Sequence, residues 1–217
     1  YALQLKPAPE LHANLGFVLG QAGDLAASLK EFEAAIKLKP DFAEAHYYLG
    51  IGRMLTEDFA GAVAALREAA RLTPKNPDAQ NALGSALLRK GGRADIAEAV
   101  VALRIAVKLR PQLPQFLTTL GAALREDEQF DESISTLRQA IKIKPDLIEA
   151  HSNLGLSLLH VKNYDGAIAE FREALKLDDQ NLSSHLNLGL TLMQKGDVAA
   201  AVEQFQKLIA IAPEAPE

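Results

Sequence analysis

Cysteine and tryptophan are absent from the 217-residue chain. Without thiols there is no disulfide framework, no thiolate nucleophile and no cysteine-ligated zinc, although this absence does not separate a cytoplasmic from an extracytoplasmic location. Aromatic residues make up only 6%, so the 48% apolar share rests on alanine and leucine. No apolar run approaches the roughly 18 residues of a membrane helix, and the N-terminus lacks the organisation of a signal peptide. A basic excess is missing too: 23 Lys and Arg stand against 28 Asp and Glu, for a net charge of −5. The charges are interspersed, which argues against a nucleic-acid footprint and suits a surface kept in solution. There is no phosphate loop, nucleophile elbow or zinc-helix motif. The acidic residues read as solvated helix surface, and no catalytic residue or cofactor is expected.

What the chain does contain is one phrase, repeated. A Leu-Gly pair occurs at Leu15-Gly16, Leu49-Gly50, Leu83-Gly84, Leu120-Gly121, Leu154-Gly155 and Leu188-Gly189, with glycine spacings of 34, 34, 37, 34 and 34. Such a period marks a stack of small supersecondary units. A second phrase, Ala-apolar-x-apolar-x-Pro, closes the units at Ala35 to Pro40, Ala106 to Pro111 and Ala140 to Pro145, with variants ending at Pro74, Asp179 and Pro213. Residues 1 to 7 read as the tail of a repeat whose beginning is missing, so the chain is expected to be a fragment.

Each full unit holds two helical patterns. His12, Leu15, Gly16 and Leu19 share one helix face, Gly23-Asp24 signals a turn, and Leu25, Ser28, Leu29, Phe32, Ala35 and Ile36 resume the face until Pro40 ends it. A glycine inside a helix costs roughly 0.8 to 1.0 kcal/mol relative to alanine, so six cost on the order of 5 kcal/mol. The offsetting gain is close packing. The glycines leave notches, the second helices offer small residues such as Ser28, Ala62, Ala99, Ser133, Ala167 and Ala201, and Phe32, Leu66, Leu103, Leu137, Phe171 and Phe205 fill the space one turn later.

The third unit has three extra residues, placed within Gly91 to Asp95 between its two helices, where an insertion is expected to lengthen a surface loop. The last unit finishes without the polar capping helix that solenoids carry, so either the chain continues or another molecule covers that end.

The pattern resembles the tetratricopeptide repeat, a 34-residue helix-turn-helix with Leu-Gly in its first helix, a small residue, an aromatic and an alanine in its second, and a closing proline. The resemblance divides the chain into a truncated tail at 1–8 and six repeats at 9–42, 43–76, 77–113 with the insertion in its turn, 114–147, 148–181 and 182–215. It implies an all-α fold, an α-α superhelix wound as a right-handed solenoid of helical hairpins, with the first helices on the concave side. The aromatic that the family places four residues before the glycine is replaced by His12, His46, His151 and His185, and by Gln80 and Leu117. One histidine per unit is too widely spaced to share an ion whose ligands sit at about 2.0 to 2.1 Å. They are read as half-buried packing between hairpins, with no metal site, and His160 has no evident partner.

The resemblance implies that partners are bound by first-helix residues six, three and two before each glycine and one, four and five after it. A carboxylate clamp of the chaperone-binding kind needs lysine three before the glycine. Here that position holds Ala13, Tyr47, Asn81, Thr118, Ser152 and Leu186, so the clamp is not expected. An asparagine two before the glycine, as in the repeat arm of O-linked N-acetylglucosamine transferase, occurs at Asn14, Asn153 and Asn187. Its amide, both donor and acceptor, suits a peptide backbone, though Asn-Leu-Gly also serves helix packing in this family.

The groove candidates are therefore Asn14, Phe17, Tyr47, Tyr48, Ile51, Asn153, Leu156, Asn187 and Leu190, apolar at both ends with polar Ser85, Arg89, Thr118 and Thr119 between. The expected function is a non-catalytic scaffold for a peptide or protein ligand. The rival is a substrate-recruiting arm of a larger enzyme, and the uncapped ends leave self-association open. Neither nucleic acid nor membrane insertion is expected.

Overall fold

The computed structural model describes residues 8–212; the expected tail, apart from Ala8, and Pro213 and Pro216 lie outside the described residues. Described residues form twelve α-helices and no strand. After Arg110 the chain divides into two compact units. The first holds three hairpins: α1 (Pro9–Gln21) with α2 (Leu25–Leu38), α3 (Ala43–Leu55) with α4 (Phe59–Leu72), and α5 (Pro77–Lys90) with α6 (Arg93–Leu109). The second holds α7 (Pro114–Glu126) with α8 (Phe130–Ile143), α9 (Ile148–His160) with α10 (Tyr164–Leu177), and α11 (Leu182–Lys195) with α12 (Val198–Ile211). Within each unit, the second helix of one hairpin packs on the first helix of the next.

The hairpins close where the glycines predict. A Cβ on Gly155 would come within 2.6 Å of the Phe171 ring, and one on Gly16 within 3.1 Å of Phe32. Leu66, Leu103 and Leu137 crowd Gly50, Gly84 and Gly121 still more closely. These large side chains are fully buried apart from Phe32, which is nearly so, and the small residues Ala62, Ala99 and Ala167 beside them are completely enclosed. Burying such side chains supplies about 1.5 to 3 kcal/mol each, more than the glycine costs its helix.

Local chemistry sets the helix ends. Asp24, Asp58, Asn163 and Asp197 accept hydrogen bonds from the amides of Ala27, Gly61, Gly166 and Ala200, capping four of the second helices. The residue before each of these caps turns the chain with a positive φ, which Gly23 and Gly196 adopt freely but which Glu57 and Lys162, like Glu128 before the uncapped α8, adopt at φ near 60° against their Cβ. At the other ends, Lys39 and Lys144 are held extended by the prolines that follow them. Asp178 takes the same conformation although Asp179 replaces the proline, so that departure leaves the helix end unchanged.

One expectation is corrected. The three-residue insertion does not lengthen the loop of the third hairpin. Only Gly91 and Gly92 connect its helices, and Arg93, Ala94 and Asp95 form an added turn that makes α6 17 residues long against 14 for the other second helices. Both glycines have positive φ, 75° and 100°, which lets two residues reverse the chain. The Asp95 carboxylate, in the first helical turn where the macrodipole favours an anion, accepts hydrogen bonds from the Lys90 ammonium at 2.8 and 2.9 Å.

Candidate functional site

In the first unit, a chain of aromatic rings lies along the first helices. Tyr48 stacks on Phe32 at 5.7 Å between centroids and meets Phe17 edge-on at 5.3 Å, and Tyr47 meets Tyr48 edge-on at 5.3 Å. Pairs of this geometry add about 0.5 to 1.5 kcal/mol beyond area burial. Tyr48 is half-buried against the core formed by Phe32, Ala45 and Leu49, so it supports the surface more than it presents one. Tyr47 is the outer member.

Three clefts open beside these rings. The first, about 170 Å³, is walled by Phe17, Phe32, Tyr48 and Ile51 and exists because Gly16, Gly20 and Gly52 place no side chains there. The other two share Tyr47 and Asp78 as a common wall. On one side, a cleft of about 500 Å³ is bounded by Glu44, Tyr48, Thr73 and Asn76. On the other, a cleft of about 240 Å³ is bounded by Ile51, Met54, Leu55, Asn81 and Ser85. Exposed leucine at position 55 and Phe17, at 65% and 44%, leave this face more apolar than an ordinary helix surface.

The polar groups here are under-used. Glu44 has no ion-pair partner among the described residues, and Asp78 faces only the Arg110 guanidinium at 3.4 Å, with both side chains about half exposed. Asn81 lines the smaller cleft, and its Oδ1 is buried without a hydrogen-bond donor, an arrangement that costs free energy. Burial, together with the nearby Asp78 carboxylate, holds the Tyr47 phenol above its usual value, so the ring stays neutral. Glu44, Asp78 and Asn81 were not among the sequence candidates. A signal for two of them was available, because an acid stands six residues before the first three glycines, at Glu10, Glu44 and Asp78.

The second unit uses its first helices differently. The Thr118 hydroxyl donates to the Pro114 carbonyl at 2.9 Å and Thr119 to Gln115 at 3.0 Å, so the expected polar middle of the groove is partly spent on its own helix. Thr118 is buried as well. Ser152, read from sequence as groove-facing, lies 3.3 Å from the Ser184 hydroxyl and links α9 to α11. Leu156 packs against the core of this unit. Leu186, Leu190 and Met193 form an exposed apolar row on α11. The amides of Asn14, Asn153 and Asn187 have no hydrogen-bond partner among the described residues; Asn14 is exposed and the other two are half-buried.

The histidines carry structural hydrogen bonds. His151 reaches the Glu170 carboxylate at 2.7 Å through Nδ1 and the Pro145 carbonyl at 2.9 Å through Nε2. His185 contacts Gln204 and the Asp179 carbonyl, His12 contacts Glu31, and His46 the Pro40 carbonyl. The ring ties its hairpin to the chain entering it. Two acceptors on one imidazole call for both N–H groups, and the carboxylate first, then the carbonyl, raise the His151 pKa against the opposing effect of burial. His160, without an evident partner in the sequence, stacks on Phe130 at 4.7 Å.

Comparison with known proteins places this geometry in context. A family model described as "TPR repeat" matches residues 19–51, 54–91 and 121–160, and one described as "Tetratricopeptide repeat" matches 152–216. Among solved structures, a chain of the "APC/C hetero-tetramer Cut9-Hcn1" is similar at 19% identity and a TM-score of 0.76, covering 96% of this chain and 40% of that one. MamA from Desulfovibrio magneticus RS-1 is similar at 23% identity and 0.69, covering 81% and 97%. YrrB, described as a TPR protein with an unusual peptide-binding site, is similar at 21% and 0.62, covering 84% and 93%. At these identities the likeness concerns the fold. No curated protein sequence matches the chain.

Proposed function

Because this chain belongs to the tetratricopeptide repeat family, we propose that it is a non-catalytic scaffold whose first helices bind an extended segment of another protein. The observation that carries this reading is the Tyr47 region. There, apolar side chains are exposed around clefts and a buried amide oxygen lacks a donor. Concave apolar surface with a few convergent polar groups is the usual form of a binding site. Asn14, Asn153 and Asn187 support the same reading, since an unpartnered amide can bond a peptide backbone in both directions. Peptide binding by YrrB, a neighbour in fold, accords with it. The six repeats, bounded as the sequence period suggests, would each contribute one first helix. No observation among the described residues favours the recruiting arm of a larger enzyme over a scaffold.

The test is site-specific photo-crosslinking in the full chain, with a benzophenone amino acid at Ile51, at Leu190 or at Ala64 on the second helix α4. Partner adducts are expected from Ile51 and Leu190 and not from Ala64. Equal adducts from all three positions would overturn the assignment of binding to the first helices.

A further inference from the structure

The two clefts that share Tyr47 and Asp78 differ in chemistry, and the difference specifies a ligand. The larger is edged by two carboxylates, Glu44 and Asp78, beside the neutral ring of Tyr47. The smaller is lined by Ile51, Met54, Leu55 and Asn81. We infer that this surface recognises a lysine or arginine adjacent to a large apolar residue in an extended peptide, the cation seated between Glu44, Asp78 and Tyr47 and the apolar side chain against Met54 and Leu55. The inference rests on the scaffold reading above and deepens it.

Three observations converge on a cation. Carboxylates attract it, and an aromatic ring beside them adds a cation–π contribution. Among the described residues the cation paired with Asp78 is Arg110, at 3.4 Å with both side chains about half exposed, so it can be displaced. Glu44 has no partner to give up. An apolar neighbour follows from the second cleft, which shares the Tyr47 and Asp78 wall with the first and so lies next to it. An acidic or phosphorylated segment would meet two carboxylates and is disfavoured by the same geometry.

The experiment is fluorescence anisotropy on the full chain with labelled nine-residue peptides of alanine and serine carrying a central Arg-Leu, norleucine-Leu, Glu-Leu or Arg-Ser pair. Arg-Leu is expected to bind about ten-fold or more tighter than norleucine-Leu, and Glu-Leu weakest. Glu44→Gln combined with Asp78→Asn should collapse the Arg-Leu advantage, so that Arg-Leu and norleucine-Leu bind the variant alike. Arg110→Gln, which removes the competing cation, should tighten Arg-Leu. Equal binding of Arg-Leu, norleucine-Leu and Glu-Leu would keep the groove and overturn the cation seat. Equal binding of Arg-Leu and Arg-Ser would overturn the apolar seat. Binding by none of the four would overturn the inference, whereas the crosslinking outcome judges the scaffold reading independently.

Discussion

The hairpins of the first unit and those of the second are built on one plan, but they use the positions just before the repeated glycine for different ends. At Tyr47, Tyr48 and Asn81 the first unit has bulky rings and an amide that open clefts and leave polar atoms unsatisfied. At Thr118, Thr119 and Ser152 the second unit has small hydroxyls that bond their own or a neighbouring helix. Beneath them, the fully buried Ser133 hydroxyl donates to the Gly121 carbonyl and lies 2.8 Å from Ser157. The same backbone thus leaves these positions with spare bonding capacity in the first unit and spends them internally in the second, where Asn153 and Asn187 keep unpartnered amides. Family membership constrains the hairpin, and a few outward positions decide whether it is available for recognition.

The comparison breaks most readily in the second core. Phe171 is completely enclosed, and Phe171→Ala should cost about 3 to 5 kcal/mol, whereas Tyr47→Ala, removing a half-buried ring, should cost clearly less. Urea unfolding of both variants measures this, and equal losses would contradict the division into a stabilising and a presenting half. Gly155→Ala comes next. Its new methyl would press on the Phe171 ring, at about 1 to 3 kcal/mol, and a neutral result would show that the ring can move aside.

Ser133→Ala leaves Ser157 without its neighbour but removes a donor as well, and about 1 kcal/mol is expected from the same measurement. The Ser133→Ala, Ser157→Ala pair should cost less than the two single changes together, because neither hydroxyl is then orphaned.

A pH series sharpens the contrast between the units. The Glu170 carboxylate and Pro145 carbonyl raise the His151 pKa in the folded state. The stabilisation from its protonated form is therefore full below the unfolded value of about 6.5 and fades as pH rises through the higher folded value. The gap in unfolding temperature between wild type and His151→Gln should be widest near the acid side of this window and close above it. A gap that widened with rising pH would reverse the assignment. The smallest effect is expected at the turns. Lys162→Gly and Glu57→Gly relieve a positive φ and should raise stability by a few tenths to about 1 kcal/mol, one in each unit.

Much of this molecule could be read from the residues. The Leu-Gly period, the aspartate and asparagine caps and the closing prolines act within a turn or two of chain, so they write helix starts, stops and hairpin closure directly into the sequence. The part played by the histidines was only half readable: their burial followed from periodicity, but the bonds of His151 to residues 6 before and 19 after it required the folded chain. Among the groove candidates, Phe17, Tyr47, Tyr48 and Ile51 line clefts, Tyr48 while also packing on the core, whereas Leu156 was drawn into packing. Glu44, Asp78 and Asn81 stand at positions six and three before their glycines that the resemblance assigns to the groove, but they were not singled out because their value depends on what stands opposite them.

By itself, then, the sequence determined an all-α chain of helical hairpins, since an apolar face repeating every three to four residues has only one way to leave water and a notched glycine only one kind of partner. The tertiary structure alone decided that three inserted residues extend α6, because two glycines at positive φ could reverse the chain without them. It also decided that Tyr47 and Asp78, 31 residues apart, share one wall between a carboxylate-edged cleft and an apolar one. That juxtaposition comes from the offset between stacked hairpins, a quantity set by packing across helices that no local pattern contains.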